Sequence, residues 1–407
     1  MCRCLLGIIL LVVSTAYSQV NSVATKCSSA IDADGYVYVA GQSGSRPDGT
    51  VADKFSEQAN QAVENVKAIV ESTGLKMDHV VYVQVYLDNI DNYPLLETVF
   101  KKYFPIIPPA GAVLGVAKLP SPGIQINVVA VRDLNGRKAV IPANYKWDGP
   151  FSPGILTHDR LFISAMQGRD PKSGKLADDP ATQTDLALDG LNAVAEAAGL
   201  TMKHIVFVNP YLISNIPTKI MNERYARRFE FGNTPGRATI QVAALPLQAQ
   251  VEYTGVAVRD LNLRRSIRPK NMPPSPTASP CVFAGDTLYC SAKSGFIPGP
   301  HGGVFGSTTT TQLRQTMRNQ LDNLQEADMD FSQVVSTTVY LDNLSDSSAF
   351  NKVYSEYFQG ALPSQTVLQQ IAPGDRTPDA NEHYPDLEQM SLIAVKTSKT
   401  AIDKFCK

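Results

Sequence analysis

The cysteines are the residues whose chemistry is easiest to read. Cys2 and Cys4 sit in an N-terminal stretch where Arg3 precedes the apolar run Leu5–Val13 and Ala16-Tyr17-Ser18 supplies small residues for a cleavage site. That pattern predicts a secretory signal peptide over residues 1–18, with an apolar run too short to span a bilayer. The expected mature chain is soluble, secreted, and has no membrane partner. Cys27, Cys281, Cys290 and Cys406 remain, an even number in an oxidising compartment. Cys281 and Cys290 flank a two-residue turn, Gly285-Asp286, between β-prone segments. Counting outward places them opposite each other in a non-hydrogen-bonded pair, the closer kind, which suits a disulfide. Cys27 and Cys406 are then left to join each other, to stay free, or to pair between molecules. Asn343-Leu344-Ser345 is a glycosylation sequon.

Other chemistries lack their signatures. The five histidines show no metal-ligand spacing, so no metal is expected; His79 and His204 hold equivalent places before a strand and read as structural. There is no Gly-x-Ser-x-Gly elbow, dinucleotide fingerprint or phosphate loop, and no cofactor is called for. The net charge is −1 and there is no basic run of the kind that grips a phosphate backbone, so nucleic acid is not an expected partner.

The elements that must position any site occur three times. Gly74–Val81 (GLKMDHVV) returns as Gly199–Val206 (GLTMKHIV), Val85–Asn89 (VYLDN) as Val339–Asn343, and Val129–Asn135 (VAVRDLN) as Val256–Asn262. The spacing is that of whole domains rather than of solenoid turns. A signal over 1–18 and repeats over 19–135, 136–262 and 263–407 follow, the last with a basic, Pro-rich N-terminal linker. Linkers at about 135–148 and 262–279 separate the units, and the second, rich in Pro and basic residues, is expected to have little structure of its own.

Each repeat opens with a hairpin, as at Asp34-Gly35 or His158-Asp159. A helix follows, marked by Ala62, Val63, Val66, Ile69 and Val70 and closed by Gly74; Leu186, Leu191, Val194 and Ala197, then Leu313, Met317, Leu321 and Leu324, are the later versions. A strand over 80–87 or 334–341 comes next, and Pro210 is expected to interrupt it in the second copy. A second helix is expected over about 93–103, 219–229 and 348–358, and two strands close the unit. The order ββαβαββ is an α+β unit with its helices on one sheet face.

Gly149–Ser152, Leu161–Ser164, Ala197–Leu200, Pro235-Gly236-Arg237, Val242–Pro246 and Val251-Glu252 fall in the order and spacing of the RidA/YjgF family, which the chain resembles once per repeat over nearly its whole mature length. The resemblance implies a chorismate-mutase-like α+β fold, usually a homotrimer with a ligand cleft between adjacent subunits. Three tandem copies would then form an intramolecular pseudo-trimer, a monomer with internal threefold symmetry. It also implies hydrolysis of 2-imino or 2-enamino acids to 2-keto acids and ammonia, with a small carboxylate as ligand.

Carried onto the second repeat, the resemblance makes Arg237 the carboxylate clamp and Glu252 the group that directs water. Asn222 and Thr239 line the pocket, and Phe151 replaces a Tyr. The first repeat reads Gly111, Gln125, Glu97 and Cys27 at the Arg, Glu, Asn and Tyr positions; the third reads Gln365, Gln389, Asn351 and Cys281. Arg and Glu are absent together in both outer copies, which is what a partly buried pair favours, since removing one ion strands the other. Arg376 in the longer third-repeat loop is a candidate substitute cation. The expectation is one equipped site in the second repeat, or else Arg237 and Glu252 as a cross-strand ion pair. The alternative function is a non-catalytic extracellular binding or structural protein.

Overall fold

The computed structural model describes residues 28–143, 145–270, 272–299 and 303–403. Cys27, Cys406 and residues 1–18 lie outside the described residues.

The first hairpin pairs Ala30–Ala33 with Tyr36–Ser43. Its turn residues Asp34 and Gly35 have φ of 50° and 73°, the left-handed pair that matches the twist of the flanking strands. Helix Phe55–Ser72 buries Ala59, Ala62, Val63, Val66, Ile69 and Val70 on one face. It ends where Gly74 takes φ 81°, a conformation that costs a residue without Cβ little. Strand Val80–Leu87, helix Tyr93–Tyr103 and strands Ala110–Gly115 and Ile124–Val131 complete the copy. Residues 154–258 and 281–395 repeat the order, so each copy is the expected ββαβαββ unit.

Both segments expected to be linkers carry strands, including the second, expected to have little structure of its own. Lys138–Val140 pairs with Gly154–Leu156 of the second sheet, and Arg264–Ile267 pairs with Cys281–Ala284 of the third. Lys399–Ile402 returns to pair with Ala30–Ala33 of the first sheet. Every tail thus completes the sheet of the next copy, and the last tail closes the ring. The exposed sheet edge beside each of these short segments explains the difference, because it supplies the backbone partners a linker lacks.

Pro210 also behaves differently from expectation. Strand Ile205–Ile213 runs through it unbroken, pairing antiparallel with Val251–Val258. The break appears in the parallel neighbour, which is split into Gly236–Arg237 and Ile240–Val242 on either side of the Pro210 level. Proline cannot donate to that side of the ladder, so the partner loses the pairing instead.

Each helix layer covers its own core against the sheet, while further clusters draw residues from all three copies along the pseudo-threefold axis. At one end of the axis Arg160, 1% exposed, holds Asp34 at 2.7 Å and Asp159 at 3.1 Å and reaches Tyr289 at 3.3 Å, touching all three copies. The third copy's helix, Thr309–Glu326, buries Thr316, Gln320 and Asn323 beside Leu313, Met317 and Leu324. Gln320 donates to the carbonyls of Ser291 and Met390, and Thr316 donates to the buried Glu388 carboxylate.

Cys281 and Cys290 stand opposite each other in the hairpin and form a disulfide with Cα atoms 4.0 Å apart. Asn343 accepts from the Ser345 amide at 2.9 Å at the start of a helical turn. Among the described residues no helix is long and apolar enough to cross a membrane, and no cluster of His, Cys, Asp or Glu is arranged to hold a metal.

Candidate functional site in the cleft between the first and second repeats

Strand register fixes which positions correspond. Gly111, Arg237 and Gln365 sit at the same level of the edge strand, opposite Val83, Val208 and Thr337. Gln125, Glu252 and Gln389 likewise sit opposite Tyr86, Tyr211 and Tyr340. The assumed counterpart of Phe151 in the third repeat needs correction. Ser152 donates to Pro108 and Pro109 carbonyls as Ser279 does to Thr234 and Pro235, so Ala278, and not Cys281, occupies the Phe151 position.

These positions meet across boundaries between copies, not within one. The amide of Gly111 donates to Ser164 Oγ of the second repeat at 2.8 Å, and the amide of Arg237 donates to Ser291 Oγ of the third at 2.8 Å. Edge strand 110–115 therefore faces the second repeat, and the edge at 236–237 faces the third. Glu252 lies in the first of these boundaries and Arg237 in the second. They form neither a shared site nor an ion pair.

Arg237 donates to Asn222 Oδ1 at 2.7 Å and lies over the Tyr225 ring at 5.1 Å; burial pulls its pKa down. Arg237 and Asn222 are thus together. The Thr239 hydroxyl, two residues on, is buried with no hydrogen-bond partner beside the broken edge strand. Arg376 cannot serve as a substitute clamp, because Asp342 and Asp346 hold it at 2.8 Å each.

The boundary that contains Glu252 encloses a cleft of about 140 Å³. Phe151 enters it from the second repeat and packs into the first repeat's core, edge-on to Phe100 with centroids 5.5 Å apart. A Cβ on Gly111 would stand 2.8 Å from the Phe151 ring and 2.6 Å from the Val83 carbonyl. The ring and the missing side chain fit each other, and no arginine can project from this position.

Another cation takes its place. Arg169, in the loop after strand Arg160–Gln167, lines the same cleft. Its Nε donates to Gln167 Oε1 at 2.9 Å, Nη1 to the Gly174 carbonyl at 3.1 Å and Nη2 to the Leu247 carbonyl at 2.9 Å. Three of five N–H donors are thereby used, and the other two are left for a ligand. No carboxylate pairs with Arg169 among the described residues, whereas the nearby Lys146 is paired with Asp148 at 3.3 Å.

Glu252 is 1% exposed and receives one hydrogen bond, from Gln167 Nε2 at 3.2 Å; its Oε1 has no partner. Burial pushes its pKa up to about 8, with Gln167 opposing weakly, so at neutral pH the carboxyl is mostly protonated. Tyr93, Tyr145 and Trp147 supply aromatic walls, and the Trp147 indole is fixed by donation to the Phe151 carbonyl at 2.6 Å. The cleft thus joins a cation without an anion to an acid that can give and retake a proton. Sequence comparison finds Glu252 and Phe151 but misses Arg169, Gln167 and the aromatic walls; the one available signal is that Trp147 is the sole tryptophan in the chain.

Comparison with known proteins agrees with this architecture. The profile of the family described as endoribonuclease L-PSP matches residues 18–132, 143–259 and 271–372. A 2-iminobutanoate/2-iminopropanoate deaminase of Dermatophagoides farinae is 37% identical over 95 residues, 23% of this chain and 74% of that protein. The protein of the same name from Homo sapiens is 33% identical over 112 residues, 27% of this chain and 81% of its own length. A chorismatase crystal structure, 11% identical, covers 78% of this chain and 93% of its own with a TM-score of 0.53, a likeness of fold. Three profile matches, each on one sheet-and-helix unit, show that the chain belongs to the endoribonuclease L-PSP family, the RidA/YjgF family its sequence resembles, as three tandem copies.

Proposed function

We propose that the cleft between the first and second repeats binds a small 2-imino acid and hydrolyses it to the 2-oxo acid and ammonia. The observation that carries this reading is the pairing, in one cleft, of Arg169, which no carboxylate among the described residues pairs with, and the buried Glu252, whose pKa burial raises. The family's relatives named as imine deaminases support the reaction class. One free cation suits one carboxylate better than a phosphate backbone, which needs several.

The chemistry needs only these groups. Arg169 holds the substrate carboxylate through its two free N–H donors. Glu252 protonates the imine nitrogen, and its carboxylate then takes a proton as water attacks C2, giving a carbinolamine. Glu252 returns that proton to nitrogen, the C–N bond breaks, and the hydroxyl proton passes to Glu252 as ammonia leaves. No net proton or electron is consumed. A pKa near working pH suits a group that acts in both directions.

A second reading is a binding protein without turnover. It is favoured by the separation of Arg237 from Glu252 across two boundaries, since no cleft then holds both. Calorimetric titration with 2-oxobutanoate, beside Arg169→Ala, tests the binding step that both readings share. Saturable binding lost in the variant supports it; no binding, or equal binding, rejects it.

Secretion through residues 1–18 and glycosylation at Asn343 complete the proposal on sequence grounds. The N-terminal sequence and the glycosidase-sensitive mass of the exported chain test them.

A further inference from the structure

The pseudo-threefold axis carries a second cavity of about 120 Å³, separate from the cleft and lined from all three repeats. The strand registers stack its walls in layers. Gln84 stands opposite Asn127, Asn209 opposite Thr254 and Thr338 opposite Ser391, so six uncharged polar side chains form one belt. Tyr86, Tyr211 and Tyr340 form the layer two residues along on one side; Tyr38, Phe162 and Tyr289 belong to the aromatic layer on the other.

The belt is not fully satisfied. Gln84, 5% exposed, accepts from Tyr82 at 2.9 Å and Tyr211 at 3.2 Å through Oε1, while its Nε2 has no partner. Asn127 Oδ1 has none either. Asn209 is engaged, donating to Thr254 Oγ1 at 3.2 Å. One amide donor and one amide acceptor in the belt of this chamber are thus left without partners, and the chamber has aromatic walls and no charged side chain. Unpaired buried amides are costly, so an occupant that meets both is favoured.

We propose that the axial chamber is a binding site for a neutral, hydroxylated single-ring compound of the phenol class. A hydroxyl meets both unpaired groups at once, accepting from Gln84 Nε2 and donating to Asn127 Oδ1. The ring fills the space between the tyrosine layers, where offset or edge-on packing adds to burial. The volume matches one ring, comparable with the roughly 150 Å³ cavity known to admit benzene. A carboxylate is excluded, because no cation lines the chamber.

The test uses the full chain and phenol itself, followed by calorimetry and by the fluorine resonance of 4-fluorophenol. Expected is saturable binding of one phenol per chain, unchanged by 2-oxobutanoate, about tenfold or more weaker in Gln84→Leu. Thr338→Phe, which fills the chamber, should abolish it; this second variant serves if the first does not fold. Benzoate should not bind there. No saturable phenol binding, binding displaced by 2-oxobutanoate, or binding equal in the folded variants would overturn the proposal and leave the chamber to water.

Discussion

Arg169 and Glu252 are joined through one side chain: the Gln167 amide accepts from Arg169 Nε at 2.9 Å and donates to Glu252 Oε2 at 3.2 Å. The bond to Glu252 favours its charged form, so it works against the burial that raises the pKa. Gln167→Leu should therefore move the alkaline limb of activity upward from about 8. A pH–rate profile reads this directly; a downward or absent shift would show that Gln167 does not act on Glu252.

The two arginines of the second repeat should separate cleanly. Arg169→Ala should weaken 2-oxobutanoate binding about 10- to 100-fold, the worth of charge-assisted hydrogen bonds. Arg237→Ala should leave that affinity within about twofold, since its guanidinium lies in the other boundary and sites without shared partners act independently. Paired calorimetric titrations check both; the reverse order would return the clamp to Arg237.

Buried acids should also mark the stability curve. Burial raises Glu252 and Glu388 to about 8, while the unfolded chain keeps ordinary carboxyls. Between about pH 4.5 and 8 the folded state therefore binds more protons than the unfolded one. Their contribution is fully present at acid pH, and is lost as pH rises to about 8. Denaturant midpoints at pH 5 and pH 8 should show this loss, and Glu252→Gln should reduce the difference. An unchanged difference would place ionised Glu252 in the folded chain.

Much of this architecture is legible in the sequence because it is local. The apolar periodicity around Val66 fixes a helix, and the Gly285-Asp286 turn fixes the Cys281–Cys290 register. The cleft is not legible in that way. Reading Arg237 and Glu252 along one repeat joins them, but the ring builds each cleft from one copy's edge strand and the next copy's sheet. Arg169 lies in a loop whose counterparts differ, so comparison of copies does not flag it. The tail strands escape notice because their partners lie in the next copy, and for Lys399–Ile402 in the first. In the sequence Cys281 passes for the counterpart of Phe151 in place of Ala278, because only the Ser152 and Ser279 hydrogen bonds reveal the three-residue offset.

Ring closure has its own test. Arg160 is buried and binds Asp34 of the first copy and Asp159 of the second, both partly exposed. Arg160→Met should cost on the order of 2–4 kcal/mol, less than a fully buried pair because water reaches the two carboxylates. Thermal and denaturant unfolding measure the loss. A change under about 0.5 kcal/mol, the range of ordinary surface substitutions, would mean that this cluster does not hold the copies together.

The most direct test of the proposed cleft is turnover. With 2-iminopropanoate generated in situ, release of pyruvate should be accelerated by the full chain and by Arg237→Ala. It should lose about 100-fold or more in Glu252→Gln, the usual range for a general acid–base group, and fall strongly in Arg169→Ala. No acceleration by the unaltered chain, or equal acceleration by the Glu252→Gln and Arg169→Ala variants, would contradict catalysis in the cleft between the first and second repeats.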